Sequence, residues 1–340
     1  MTLQNDVVPP SSQTDGPQAL AARFVTIAEE EAGQRIDNYL LRVCKGVPKS
    51  HIYRILRSGE VRVNKGRIDQ LYRLASGDVV RIPPIRIAER AAGATPVPAA
   101  EFAIVHEDSH LLVIDKPAGV AVHGGSGVSY GVIEQLRMAR PDAKFLELVH
   151  RLDRETSGLL LLAKKRSALT NLHEQMREGT TDKRYLAAVA GDWRNPRQHV
   201  KLPLHKFTTP DGERRVVVQA GGQEAHTVFN LLRKWERFAL LEAELKTGRT
   251  HQIRVHLASS GFPILGDEKY GDFALNKQLQ KPTDARGALR RMFLHAYRIT
   301  FQHPETGKPM TLSAPLPAEC ERFLVSLGPA QEVKTRTTNR

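Results

Sequence analysis

Apolar positions along the chain follow two different periods. Ile36, Tyr39, Leu40 and Val43 recur at the spacing of one helix face, and a second helix is predicted from Ser50 as N-cap through Ile52, Ile55 and Leu56 to a stop at Gly59. Short strands follow at Val61 and Val63, then the turn residues Asn64, Lys65 and Gly66, then a strand ending in DVVRI at 78–82. Residues 24–87 thus form a small helix-helix-strand module. Further on, strand-like runs at 102–105, 111–115, 159–163, 185–190, 239–245 and 292–300 alternate with helical runs at 131–139, 168–178 and 251–259. The Asp211-Gly212 pair between KFTTP and ERRVVV predicts a hairpin. This irregular order predicts an α+β fold whose central sheet is mixed and mainly antiparallel, flanked by helices, rather than a doubly wound parallel sheet.

Three stretches lack either period. Residues 1–22 and 328–340 are polar and predict flexible tails, and AERAAGATPVPAAE at 88–101 has the Ala, Gly and Pro content of a linker. A large module at 102–327 follows. In the 340 residues, 41% hydrophobic and 26% charged content suits a soluble globular protein and excludes wholesale disorder. The longest aliphatic run, 159–163, falls far short of the roughly 20 apolar residues that cross a bilayer. No apolar h-region occupies residues 1–18, and Cys44 and Cys320 stand alone, so the expectation is a reducing, cytoplasmic setting without disulfide or zinc. A monomer is expected.

Charge changes the picture. Fifty Lys and Arg against 37 Asp and Glu leave a formal net charge of +13, which points to a polyanionic partner. The excess concentrates in the small module, where Arg42, Lys45, Lys49, Arg54, Arg57, Arg62, Lys65 and Arg67 face a single acid, Glu60. Binding to a phosphate backbone is the simplest use of such a surface, since each neutralised phosphate releases counterions. GQRIDNYL, PKSHIYRILRSGEVRVNKGR and GDVVRIP resemble an S4 RNA-binding domain, which implies structured RNA as the ligand of residues 24–87.

Several chemistries lack their residues. His251 and His256 are five apart and no HExxH occurs, so a zinc pair on a helix has no basis; GxSxG, GxGxxG and a P-loop are likewise missing. What remains is HRLDRETSG at 150–158, directly before the aliphatic strand LLLLA. There Asp153 lies between Arg151 and Arg154, whose cations favour its ionised form, and an oriented carboxylate is either a nucleophile or a stabiliser of positive charge. A surface loop whose charges satisfy one another in water would show the same letters. KTGRTHQIR at 246–254 opens a helix, where the N-terminus and Arg249 attract anions; simple capping by Thr250 is the plainer alternative. KRYLA at 183–187 sets Tyr185 at a strand start, where most tyrosines are structural.

Together HRLDRETSGLLLLAKK, KRYLAAVAG, ELKTGRTHQIRVHLASSGFPILGDEKYG and the upstream DKPAGVAVHGG resemble the RluA-type pseudouridine synthases over nearly all of 102–315. That resemblance implies isomerisation of uridines in large-subunit ribosomal RNA, with no cofactor and no metal. It implies Asp153 as the essential carboxylate and Arg249 as the guanidinium that pairs with it and aims it. Tyr185 would stack on the target base and help remove the C5 proton, and Ile253 would pack beneath the ring. Arg151 would fill the space left by the flipped nucleotide, with His150 and Arg154 among the substrate contacts. A non-catalytic RNA-binding or ribosome-assembly factor is the alternative from another class; a metal-dependent RNA hydrolase would need clustered carboxylates or histidines that the chain does not spell out.

Overall fold

The computed structural model describes residues 21–44, 46–85, 96–125, 128–210, 212–281 and 287–331. The predicted tails lie almost wholly outside them, as do Lys45, Asp211 and most of the predicted linker. The chain divides into two compact units, Met1–Ala94 and Thr95–Arg340.

The first unit contains β1 (Arg23–Thr26), α1 (Ile36–Val43), α2 (Lys49–Arg57), β2 (Arg62–Val63), β3 (Gly66–Arg67) and β4 (Val79–Ile82), with an antiparallel sheet in the order β1-β4-β2-β3. Helical spacing puts Ile36, Tyr39 and Leu40 of α1 against Ile52, Ile55 and Leu56 of α2, all buried in one core with Val61, Val63, Val80 and Ile82. The second helix begins two residues earlier than Ser50 predicts. Pro48 is its N-cap, with the fixed φ of proline setting the entry, and no side chain caps it. Asn64 and Lys65 both adopt left-handed φ, 49° and 69°, which is the two-residue turn that a tight β2-β3 hairpin needs.

The second unit is built on a ten-stranded sheet. Its elements are β5 (Ala103–Glu107), β6 (Leu111–Lys116), α3 (Val132–Ala139), β7 (Glu147–Leu148), β8 (Ser157–Ala163), α4 (Arg166–Glu178), β9 (Asp182–Ala190), β10 (Arg197–Val200), β11 (Leu204–Thr208), β12 (Arg214–Val218), β13 (Thr227–Lys234), β14 (Phe238–Leu245), α5 (Gln252–Ser259), α6 (Phe273–Gln280), β15 (Leu294–Gln302), β16 (Pro309–Ser313) and α7 (Ala318–Ser326). The strands run β10-β13-β14-β9-β15-β8-β6-β5, with β16 beside β15 and β7 beside β8. Only the β15-β8 pair is parallel among them, so the sheet is mixed and mainly antiparallel, as the element order predicts.

The unbroken apolar run of β8 has a direct structural cause: both of its faces are covered. Leu160 and Leu162 pack with Val132, Ile133 and Leu136 of α3, while Leu159 and Leu161 pack with Ala168 and Leu172 of α4. Gly158 lies where β8 meets β15 in parallel; its φ is +108°, and a Cβ there would sit 2.3 Å from the carbonyl oxygen of Ala296. The β11-β12 hairpin forms a separate two-stranded ribbon, Thr208 opposite Arg214, around the predicted turn.

Candidate active site

One strand end and one helix start meet at Asp153. Its loop lies between β7 and β8 and is anchored from below. The Gly119 backbone N–H and the Lys116 ammonium both donate to the Arg154 carbonyl, at 2.9 and 3.1 Å, and Lys116 also donates to the carbonyls of Pro117 and Val120. Lys116 is fully buried, and that burial pushes it down to about 7. Its three carbonyl partners act in the opposite sense, because only an ammonium has three donors to give them. A turn closed by Thr156 N–H on the Asp153 carbonyl completes the loop.

The guanidinium that meets Asp153 is Arg254, not Arg249. Arg254 Nη1 donates to Asp153 Oδ2 at 3.0 Å. Its other edge grips Asp267 through Nε at 2.7 Å and Nη2 at 2.8 Å, a two-point contact that locks the plane of the group. Asp267 is itself held by the backbone N–H groups of Lys269 and Tyr270, and the Tyr270 ring lies under the guanidinium with its centroid 5.0 Å away. Arg254 and Asp267 are buried, with side-chain exposures of 7% and 1%, whereas Asp153 keeps 23% and faces the cleft. The two carboxylates hold the Arg254 pKa well above its ordinary value against the pull of burial, and burial opposes the guanidinium that keeps Asp267 well below the usual carboxylate range.

The physical reason for the change of partner is the direction of α5. Its helical residues 252–257 are all buried, so Arg254 is carried into the protein beneath the Asp153 loop. Arg249 stays in the exposed loop before the helix, where its Nε donates to the Glu224 carbonyl at 3.0 Å; it lines the cleft without pairing with Asp153. Thr250 is not the cap either. His251 occupies the N-cap with φ 53°, its Nε2 is 3.8 Å from Asp153, and its Nδ1 shares a hydrogen bond with the Tyr270 hydroxyl. Burial lowers the pKa of His251. A charged residue between Ile253 and Val255, in a helix without a polar face, was the available signal for Arg254, since buried charges need partners.

Asp153 opens into a cleft of about 1010 Å³ within the second unit, walled by the 148–153 loop, α4, β9, the β11-β12 hairpin and residues 248–251. Tyr185 lies in this wall. Its cross-strand partners Ala243 and Ala296 leave room for its ring, and burial, with Asp153's charge added, raises the phenol pKa well above its usual range. Ile253 packs in the same buried cluster as Tyr185 and lines a smaller recess beside Asp153. His150 is in the wall, its Nε2 accepting from Leu161 N–H at 3.2 Å, and burial pushes it down to about 4, so it is neutral. Arg151 is exposed at the rim. Arg154 departs from its expected place: its side chain turns to Glu155 at 2.7 Å and lines neither the cleft nor the recess, because its backbone carbonyl is the loop's anchor.

In the first unit Arg42, Lys49, Arg54, Arg57, Arg62, Lys65 and Arg67 are all exposed. Two of them are tied to acids, Arg42 to Glu31 and Arg54 to Glu60, and Arg67 braces the carbonyl of Ser58. Among the described residues, no group of three or more His, Cys, Asp or Glu is arranged to hold a metal ion, and His256 is used internally by Thr227 and the Leu202 carbonyl. No helix among them is long and apolar enough to cross a membrane.

The chain belongs to the RNA pseudouridylate synthases and carries an S4 domain: the model of the first family matches residues 110–259 and that of the second residues 34–80. Over 312 residues it is 53% identical to a protein of Pasteurella multocida (strain Pm70) named ribosomal large subunit pseudouridine synthase C, spanning 90% of this chain and 94% of that one. The protein of the same name from Escherichia coli (strain K12) is 51% identical over 312 residues, 90% of this chain and 97% of that one. The solved structure of human RNA pseudouridylate synthase domain containing 4 is 28% identical, with a TM-score of 0.54 over 66% of this chain and 92% of that one. The family resemblance read from the HRLD, KRYLA and GRTHQIR stretches is therefore correct, and the chain is an enzyme of this family.

Proposed function

We propose that this enzyme converts uridines of large-subunit ribosomal RNA to pseudouridine with Asp153 as the reacting carboxylate, acting as a monomer in the cytoplasm without a cofactor. The names of its relatives support the substrate class. One observation carries the site assignment: a single carboxylate faces an open cleft while a buried guanidinium, pinned from behind by Asp267, points one N–H at it.

The reaction breaks N1–C1′, turns the uracil and joins C5 to C1′; C5 loses a proton and N1 gains one. Atoms and electrons balance within the nucleotide, so no redox partner or group donor is called for. A uridine stacked in a helix cannot present C1′ and C5 to Asp153, so the nucleotide is flipped into the cleft, with Arg151 at the rim to take its place in the stack. The carboxylate then either attacks C1′ or stabilises its cationic character, both of which need it ionised. Arg254 donates one N–H to it and fixes its direction. Tyr185 stays protonated and offers a ring for the base to stack on, with Ile253 beneath. Arg249 contacts RNA at the cleft mouth. The exposed cations of the S4 domain add phosphate contacts without asking for sequence.

Asp153→Asn keeps the side chain's size and removes its charge. The variant is expected to fold, to bind a large-subunit ribosomal RNA transcript as the parent does, and to form no pseudouridine in it. Retained turnover would remove Asp153 from the chemistry.

A further inference from the structure

Two neighbouring cations on β9 are treated in opposite ways. Arg184 faces one side of the sheet, where Asp182, Glu242 and Glu244 all lie within 2.8 Å of its guanidinium. Lys183 faces the other side, with Tyr185 two positions on sharing its face, and both line the cleft. Lys183 is half-buried, and its side chain makes no hydrogen bond or ion pair among the described residues. Burial lowers its pKa and no acid compensates, not even Asp153. Its charge reaches His150, where it adds to the effect of burial in keeping that imidazole neutral. Two other cations of the cleft wall have acid partners: Arg177 has Glu174 and Arg215 has Glu213.

An ammonium partly stripped of water with no counterion opposes folding, and an anion brought to it removes that cost. A full negative charge gains more there than a uracil carbonyl, and a compact ammonium suits one phosphate oxygen. We propose that Lys183 forms a phosphate subsite in the cleft wall, holding one phosphodiester of the RNA strand beside the extruded nucleotide while Tyr185, on the same strand face, meets the base. The inference rests on the functional reading above, that RNA occupies this cleft.

The test compares Lys183→Met and Lys183→Arg in the full-length chain, each also combined with Asp153→Asn so that binding of a large-subunit ribosomal RNA transcript is measured without turnover. With Met, binding is expected to weaken several-fold and the slope of log K against log salt to flatten by about one, with Arg restoring the slope. In the active background the loss falls on KM rather than kcat, and the Met variant melts no lower than the parent because an unpaired charge has gone. An unchanged slope and KM overturn the proposal. So does a fall in kcat with the slope intact, which would make Lys183 a proton-handling group. Absence of pseudouridine in the transcript with the unaltered enzyme would instead sink the functional reading itself.

Discussion

Arg254→Lys separates the two arginines that lie five positions apart at the start of α5. The native guanidinium spends three N–H donors on two carboxylates, at 2.7, 2.8 and 3.0 Å. An ammonium keeps the charge but cannot grip Asp267 at two points and reach Asp153 together. Each hydrogen bond to a charged group contributes about 1.5–3 kcal/mol net, so losing two of three, with some recovery by rearrangement, costs about 2–4 kcal/mol of stability. The contact to Asp153 is one such bond. If the lysine stays with Asp267, the nucleophile or stabiliser is left unaimed and kcat falls roughly 10- to 150-fold. Arg249→Lys changes an exposed side chain that holds only the Glu224 carbonyl. It is expected to leave melting unaltered and to act on KM. Time courses of pseudouridine formation, read beside thermal melts of both variants, decide the matter. A folded Arg254→Lys with normal kcat, or an Arg249→Lys that melts normally yet has lost kcat, would refute the assignment of the ion pair to Arg254.

Lys116→Met removes three hydrogen bonds to carbonyls beneath the Asp153 loop, and the stranded carbonyls should lower stability by about 2–5 kcal/mol and reduce kcat by loosening the loop; an unchanged melting temperature would show that the anchor is dispensable. Glu244 is buried and accepts from Asn230 and Lys246 beside Arg184, which overcome the cost of burial and lower its pKa from 4.5 to about 2. A depressed carboxyl pKa stabilises the fold above the unfolded value and loses that contribution as pH falls toward the folded one, so Glu244→Gln should cost about 3 kcal/mol at neutral pH and almost nothing near pH 2. Parallel denaturation curves at every pH would contradict this. Replacing Arg57, Arg62 and Lys65 together by Gln should flatten the salt dependence of RNA binding by roughly two to three in slope, since each phosphate contact contributes about 0.7–0.9; an unaltered slope would take those residues off the RNA.

Local rules carried much of the fold. The helical spacing of Ile36 to Leu56, the Asn64-Lys65 turn and the apolar run of β8 depend on backbone period and burial, which neighbouring residues largely determine. Elements at the sheet margin escaped this reasoning: β10 and β16 are short, and α6 and α7 cover a third apolar cluster around Phe293 that the sequence pattern does not mark off from loops. Asp153 stood out as the centre of a charged phrase before a strand, whereas Tyr185, inside β9, was singled out only by the family resemblance. The identity of the guanidinium was not legible, because Arg249 and Arg254 occupy the same phrase and both suit a carboxylate by type.

From its letters alone this chain declares a basic module suited to a polyanion, an α+β unit and a carboxylate on a loop before a buried strand, since composition, period and short-range charge are properties of neighbours in sequence. Which arginine reaches that carboxylate, and which lysine is left without a counterion, is decided by where α5 and β9 point once the sheet has closed. Pairing across 101 residues from Asp153 to Arg254 is a matter of distance in space, and no local pattern encodes that distance.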